Sequence, residues 1–139
     1  MIRFFGGRVM TLANGIETQD IEVWTEGSKI VFVGKPKAEE LDGKVFEREY
    51  DLKGNLLMPS FKNAHTHSAM TFLRSYADDM PLQDWLFKQI FPMEAKLDGE
   101  KVYWLTKLAI LEYLTTGCTA AFDMYFELDD YVKACTESG

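Results

Sequence analysis

The periodicity of the chain changes once, at Gly54, and that change restricts the fold more than any other feature. Before it, short runs rich in β-formers alternate with turn residues. Ile2 to Phe5 and Arg8 to Leu12 lead into Asn14-Gly15, a strong two-residue hairpin signal. Asp20 to Thr25 alternates, which predicts Ile21 and Val23 on one face and Glu22 and Trp24 on the other. Lys29 to Val33 and Val45 to Leu52 read as further strands, separated by a polar stretch from Lys35 to Lys44. These pieces predict a small antiparallel β unit.

After Gly54 the pattern becomes strand, helices, strand, helix. Leu56 to His67 reads as one buried strand ending in polar residues. Pro81 sits at the first position of an amphipathic segment that Pro92 ends or bends. Asp98 is the expected N-cap of a helix reaching about Thr116, with Trp104, Leu105, Leu108, Leu111 and Leu114 as its apolar stripe and Gly117 as its stop. Cys118 to Tyr125 reads as a strand covered on both faces, followed by a helix carrying Leu128, Tyr131, Val132 and Cys135. A β-helix-β order implies parallel pairing with right-handed crossovers. The fold class is therefore α/β, with a small N-terminal β domain followed by βα units.

Composition narrows the functions. Of 139 residues, 47% are hydrophobic and 27% charged, enough to bury a core. Fifteen Lys and Arg stand against 22 Asp and Glu, a net charge of −7, which disfavours nucleic acid as a partner. No apolar run approaches the roughly 20 residues of a membrane helix, and the start breaks at Gly6-Gly7, too early for a signal peptide. Two cysteines without a CxxC spacing, Cys118 and Cys135, are expected to pack in the interior of a reduced, cytoplasmic protein.

The only histidines are His65 and His67, an i, i+2 pair at the C-terminal end of a strand. Alternation directs both rings to one face, where their nitrogens can meet one cation, and imidazole suits zinc, iron and related metals. The plain alternative is two polar residues at a strand end. Strand C-termini are nonetheless where barrels and open parallel sheets build active sites.

Residues 59–94 carry a more specific pattern: His65-Thr66-His67, Met70-Thr71 with Leu73-Arg74, Ala77-Asp78-Asp79 with Pro81-Leu82, Trp85-Leu86, and Pro92 with Glu94. Thr115 to Thr119 and Phe122 to Tyr125 extend it. Together they resemble the amidohydrolase superfamily, in the branch of the 5-methylthioadenosine/S-adenosylhomocysteine deaminases and related cytosine, guanine and triazine hydrolases. The resemblance implies a β-sandwich-like domain over residues 1–57 and the first two βα units of a (β/α)₈ TIM barrel over residues 58–139. The barrel would be incomplete, because a closed one needs roughly 250 residues.

The same resemblance implies hydrolytic deamination of an adenine nucleoside by the full-length protein. One divalent metal, zinc ahead of iron or nickel, would be held by His65 and His67. Glu94 would bind ribose hydroxyls, and Trp85 would stack on a purine or serve as a core anchor. Asp78 and Asp79 are assigned to helix capping and Asp123 to structure. Ser60 and Lys62 depart from the family's usual glycine and apolar residue. The family's remaining metal ligands and its acid/base glutamate lie outside these residues, so the chain alone is expected to be inactive and to self-associate through unfinished sheet edges. Alternatives are guanine or cytosine deamination, triazine hydrolysis, or a non-catalytic interaction module that keeps the partial fold. The H-x-E and P-C-x-x-C signature of cytidine-deaminase zinc sites is absent.

Overall fold

The computed structural model describes residues 1–13 and 15–139. The chain divides into two compact units, Met1–Pro59 and Ser60–Gly139. The fold is mixed α/β.

The first unit holds β1 (Ile2–Phe5), β2 (Arg8–Thr11), β3 (Glu17–Gln19), β4 (Glu22–Glu26), β5 (Lys29–Gly34), the one-turn helix α1 (Ala38–Leu41), β6 (Arg48–Asp51) and β7 (Leu56–Leu57). They form two sheets, ordered β5-β4-β1-β6 and β3-β2-β7. The expected antiparallel pairing holds for β1-β4, β2-β3 and β4-β5 and is corrected at two places. β1 pairs with β6, and β2 with β7, in parallel, because the chain passes through α1 before returning to the sheets. The two strands flanking the Asn14-Gly15 signal, β2 and β3, are antiparallel neighbours; Asn14 lies outside the described residues.

One charged cluster fixes the register of the larger sheet. Arg3 on β1 donates through Nε and a terminal nitrogen to both oxygens of Glu22, each at 2.7 Å, and through the other terminal nitrogen to Glu49 at 2.8 Å. Glu22 also accepts from the indole of Trp24 at 2.9 Å. A guanidinium fork over a carboxylate is the strongest ordinary form of this contact. Trp24 shares a face with Glu22, as the alternation predicts, and is buried there, stacked on Phe32 with ring centroids 4.2 Å apart.

The second unit begins with β8 (Phe61–Thr66) and a 3₁₀ segment, Ser68–Leu73. A continuous helical run follows: α2 (Leu82–Asp84), a π-helical stretch Trp85–Ile90, and α3 (Phe91–Glu94). The unit ends with α4 (Gly99–Thr115), β9 (Cys118–Asp123) and α5 (Leu128–Ser138). β8 and β9 pair in parallel, as a β-helix-β order requires. Leu56 to His67 is thus two strands in different sheets, interrupted by Pro59, which has no N–H for a ladder.

Pro92 does not end its helix. The Phe91 N–H reaches back five residues to Leu86 O, and regular α spacing resumes with Ala95 N to Phe91 O at 2.9 Å. The change of spacing falls where Pro92 has no N–H to give to either pattern. The N-cap position of α2 is occupied by Pro81 without a side-chain hydrogen bond, so Asp78 and Asp79 are not caps. Asp98 is one: its carboxylate accepts from Lys101 N at 3.0 Å. Gly99 follows directly, and a Cβ there would lie 1.9 Å from the Asp130 carboxylate of α5. Only glycine permits that approach.

The buried face of α4 is Val102, Thr106 and Ala109, at i, i+4, i+7. The predicted stripe of Trp104, Leu108, Leu111 and Leu114 is exposed. The reason is steric: α4 lies against both the 3₁₀ segment and α5, and small residues there admit Ala69 and Ala134, each fully buried. The strands are likewise more open than predicted, with Phe61 59% and Phe122 78% exposed, because β8 and β9 pair only with each other among the described residues. Cys118 is buried and Cys135 half-buried, both as free thiols. Among the described residues, no helix is long and apolar enough to cross a membrane.

Two outcomes are expected. Hydrogen bonding from Arg3 holds the Glu22 carboxyl below its usual pKa. Its stabilisation is then present above about pH 4.5 and lost as acid carries the pH through the lower folded-state value. Glu22→Gln should cost about 1 kcal/mol at neutral pH. It should also flatten the acid limb, read from hydrogen exchange of β1 and β4 amides against pH. Gly117 closes α4 at φ +80°, where a Cβ would make only ordinary contact with Phe61. Gly117→Ala should therefore lose about 1–2 kcal/mol from backbone strain alone, measured by denaturant unfolding.

Candidate metal and substrate site

The site is built where β8 runs out. Thr66 is the last strand residue, yet the ladder continues by one bond, from Met124 N to Thr66 O at 3.1 Å. The same Met124 then uses its carbonyl oxygen on the ring of His67, with Nδ1 at 2.8 Å. A carbonyl only accepts, so Nδ1 carries the hydrogen and Nε2 presents its lone pair outward. His65 lies two residues back on the same face, and the two ring centroids are 4.9 Å apart at an interplanar angle of 86°. The structure therefore brings together the two side chains that alternation predicts to be neighbours.

The backbone around His67 is bracketed by hydroxyls. Tyr113 of α4 places its phenol 2.5 Å from Thr66 Oγ1 and 2.9 Å from Ser68 Oγ. Ser68 N donates to the Asp123 carboxylate at 3.1 and 3.3 Å. Asp123, assigned to structure on sequence, ties the end of β9 to the residue after His67. Tyr113 is a residue that sequence reading missed. Its position in the last turns of an apolar helix carries no signal of a polar role.

His65 and His67 open onto a cleft of about 700 Å³ that also receives Trp85, Ile90, Glu94 and Tyr125. That volume lies within the usual range for small-molecule sites. Trp85 is half-buried at the start of the π-helical stretch, so the indole meets the cleft while Ile90, five residues on, is buried. Glu94 ends α3, and no hydrogen bond is made to its carboxylate among the described residues. Tyr125 follows β9. Its hydroxyl is excluded from solvent and also lacks a partner among the described residues. Burial raises the Tyr125 phenol pKa, and the charges of Glu94 and then Asp123 push it the same way, so it stays a proton donor.

The donor chemistry fits part of a metal site. Two imidazoles, one with its ring orientation fixed by a backbone carbonyl, are standard ligands of zinc and related ions. Among the described residues no cluster of three or more His, Cys, Asp or Glu could hold an ion, so the pair alone falls short of a closed coordination shell. Lys62 is held at 2.8 Å from Ser60 Oγ and 3.0 Å from Thr119 Oγ1.

A family model described as the Amidohydrolase family matches residues 56–138. The 5-methylthioadenosine/S-adenosylhomocysteine deaminase of Desulfitobacterium hafniense is 43% identical over 118 residues, which is 85% of this chain and 27% of that protein. The 5'-deoxyadenosine deaminase of Methanospirillum hungatei is 56% identical over 89 residues, 64% of this chain and 20% of that protein. Among solved structures, an adenosine deaminase from Xanthomonas campestris with bound zinc superposes with a TM-score of 0.89 at 33% identity, covering 98% of this chain and 31% of that one. The chain spans about a quarter of the length of the curated relatives it matches. With more than half of its residues inside that family model, the chain belongs to the amidohydrolase family.

Proposed function

We propose that these residues are the opening part of a metal-dependent hydrolase that deaminates an adenine nucleoside of the 5-methylthioadenosine, S-adenosylhomocysteine or adenosine type. In this reading residues 1–57 form a β-sandwich-like domain, and residues 58–139 the first βα units of a (β/α)₈ barrel in a cytoplasmic protein. The observation that carries it is the pair of adjacent imidazoles, His67 with Nε2 free, opening onto one cleft with a carboxylate and an indole. The names of the three proteins compared above, each a deaminase of an adenine nucleoside, agree with it.

His65 and His67 would hold one divalent ion, zinc by preference. Such an ion, when bound, lowers the pKa of water and so supplies a hydroxide-like nucleophile near neutral pH. The chain's own residues orient the substrate. Glu94 would accept hydrogen bonds from both hydroxyls of a ribose, a vicinal diol matched to the two oxygens of a carboxylate. Trp85 would lie against the purine face. Attack at C6 of the adenine ring would then release ammonia, with proton transfer by a group outside these residues.

Ammonia release from 5-methylthioadenosine, adenosine and 5'-deoxyadenosine, with guanine and cytosine alongside, tests this in the complete protein that contains the chain. Adenine nucleosides should be the substrates. His65→Ala or His67→Ala should lose metal, by elemental analysis, together with activity. Glu94→Gln should raise KM for ribose-bearing substrates by about 10- to 100-fold. A preference for free guanine, or full metal content without the histidines, would overturn the assignment.

The chain by itself should be inactive and should self-associate. The outer edges of β8 and β9 are unpaired among the described residues, and Leu108, Leu111 and Leu114 expose an apolar row on α4. Sedimentation of the 139-residue chain should show association that grows with concentration. A compact monomer at high concentration would count against this.

A further inference from the structure

Two groups in the cleft have unmet hydrogen-bonding capacity, and they complement each other. The Tyr125 hydroxyl is a donor shut away from solvent without an acceptor, and the Glu94 carboxylate receives no hydrogen bond among the described residues. A buried donor that water cannot reach is costly to leave unpaired, so an acceptor that can swing to it is favoured. Glu94 is close enough for its charge and its acceptor oxygens to act on the phenol. Asp123, the other nearby acid, is already engaged by Ser68 N.

Both residues line the same cleft, and the backbone beside each is held by hydrogen bonds. Glu94 O accepts from Leu97 N at 2.9 Å at the end of α3. Tyr125 follows Met124, whose N–H and carbonyl are both committed, to Thr66 O and His67 Nδ1. A carboxylate has about four lone-pair positions, and a vicinal diol takes two of them. The hydroxyl of Tyr125 is closed to solvent, which favours the carboxylate over a ligand as its partner.

We propose that Tyr125 is a positioning residue for Glu94, donating to one carboxylate oxygen so that the remaining edge faces the two hydroxyls of a ligand's ribose. The proposal rests on the reading of Glu94 as the diol acceptor. It makes Tyr125 a determinant of selectivity for ribose over sugars lacking the 2' and 3' hydroxyls.

The test is equilibrium binding of inosine and of 2',3'-dideoxyinosine to the complete, metal-loaded protein, by calorimetry. Tyr125→Phe, Glu94→Gln and the double variant are compared with the unmodified protein. Tyr125→Phe should weaken inosine binding about 5- to 10-fold and leave dideoxyinosine binding unchanged. The double variant should bind inosine no more weakly than Glu94→Gln alone, because the tyrosine acts only through the glutamate. Equal loss for both ligands, no loss for either, or multiplicative losses in the double variant would each overturn the proposal. If Glu94→Gln discriminates between the ligands and Tyr125→Phe does not, this inference alone fails. If Glu94→Gln does not discriminate, the diol reading fails and takes this one with it.

Discussion

The second unit depends on a single parallel ladder, β8 beside β9, and on the two bonds that carry it past the end of the strand. A parallel pair leaves side chains at the C-terminal end of both strands pointing into the same space. Met124 turns that placement into chemistry. Its N–H closes the last rung on Thr66 O, and its carbonyl then captures Nδ1 of His67. One backbone unit thus sets the strand register and the imidazole tautomer together. A register slip would release both.

The helices support this rung from one side. α4 crosses with a small-residue face, so its backbone comes close enough for Tyr113 to reach the hydroxyls of Thr66 and Ser68. Larger residues at Thr106 or Ala109 would push the phenol away from both. The close contact at Gly99, where the Asp130 carboxylate sits against the positive end of α4, holds α5 in the same manner. The π-helical stretch before Pro92 does a related job for the cleft. Its extra residue per turn determines which side chains of the Trp85 to Glu94 run meet the histidines.

Much of the site was legible because it follows from local rules. The i, i+2 spacing of His65 and His67 at a strand end predicts neighbouring rings, and the rings are neighbours. Asp98 and Gly117 mark the ends of α4 by cap chemistry that operates within a few residues. The buried face of α4 differs from the predicted stripe for an equally physical reason. Apolar residues lie on more than one side of that helix, and periodicity alone cannot say which side meets a neighbour. The same holds for α5, where Ala134 is buried while Leu128 and Val132 are exposed. Parallel pairing in the first unit was also hidden, since partners such as Ile2 and Arg48 are far apart in sequence.

What the sequence alone determined is therefore local: the alternation that aligns two imidazoles, the caps that bound the longest helix, and the β-helix-β order that compels a parallel pair. Tertiary structure decided everything that needs two distant segments to meet. It chose the tautomer of His67 through a carbonyl 57 residues away, and it joined Tyr113 to the residues flanking that histidine. It also buried the Tyr125 hydroxyl beside the Glu94 carboxylate. Short-range preferences are written in neighbouring residues, whereas hydrogen-bond partners across a fold are chosen by packing, which no single stretch of chain contains.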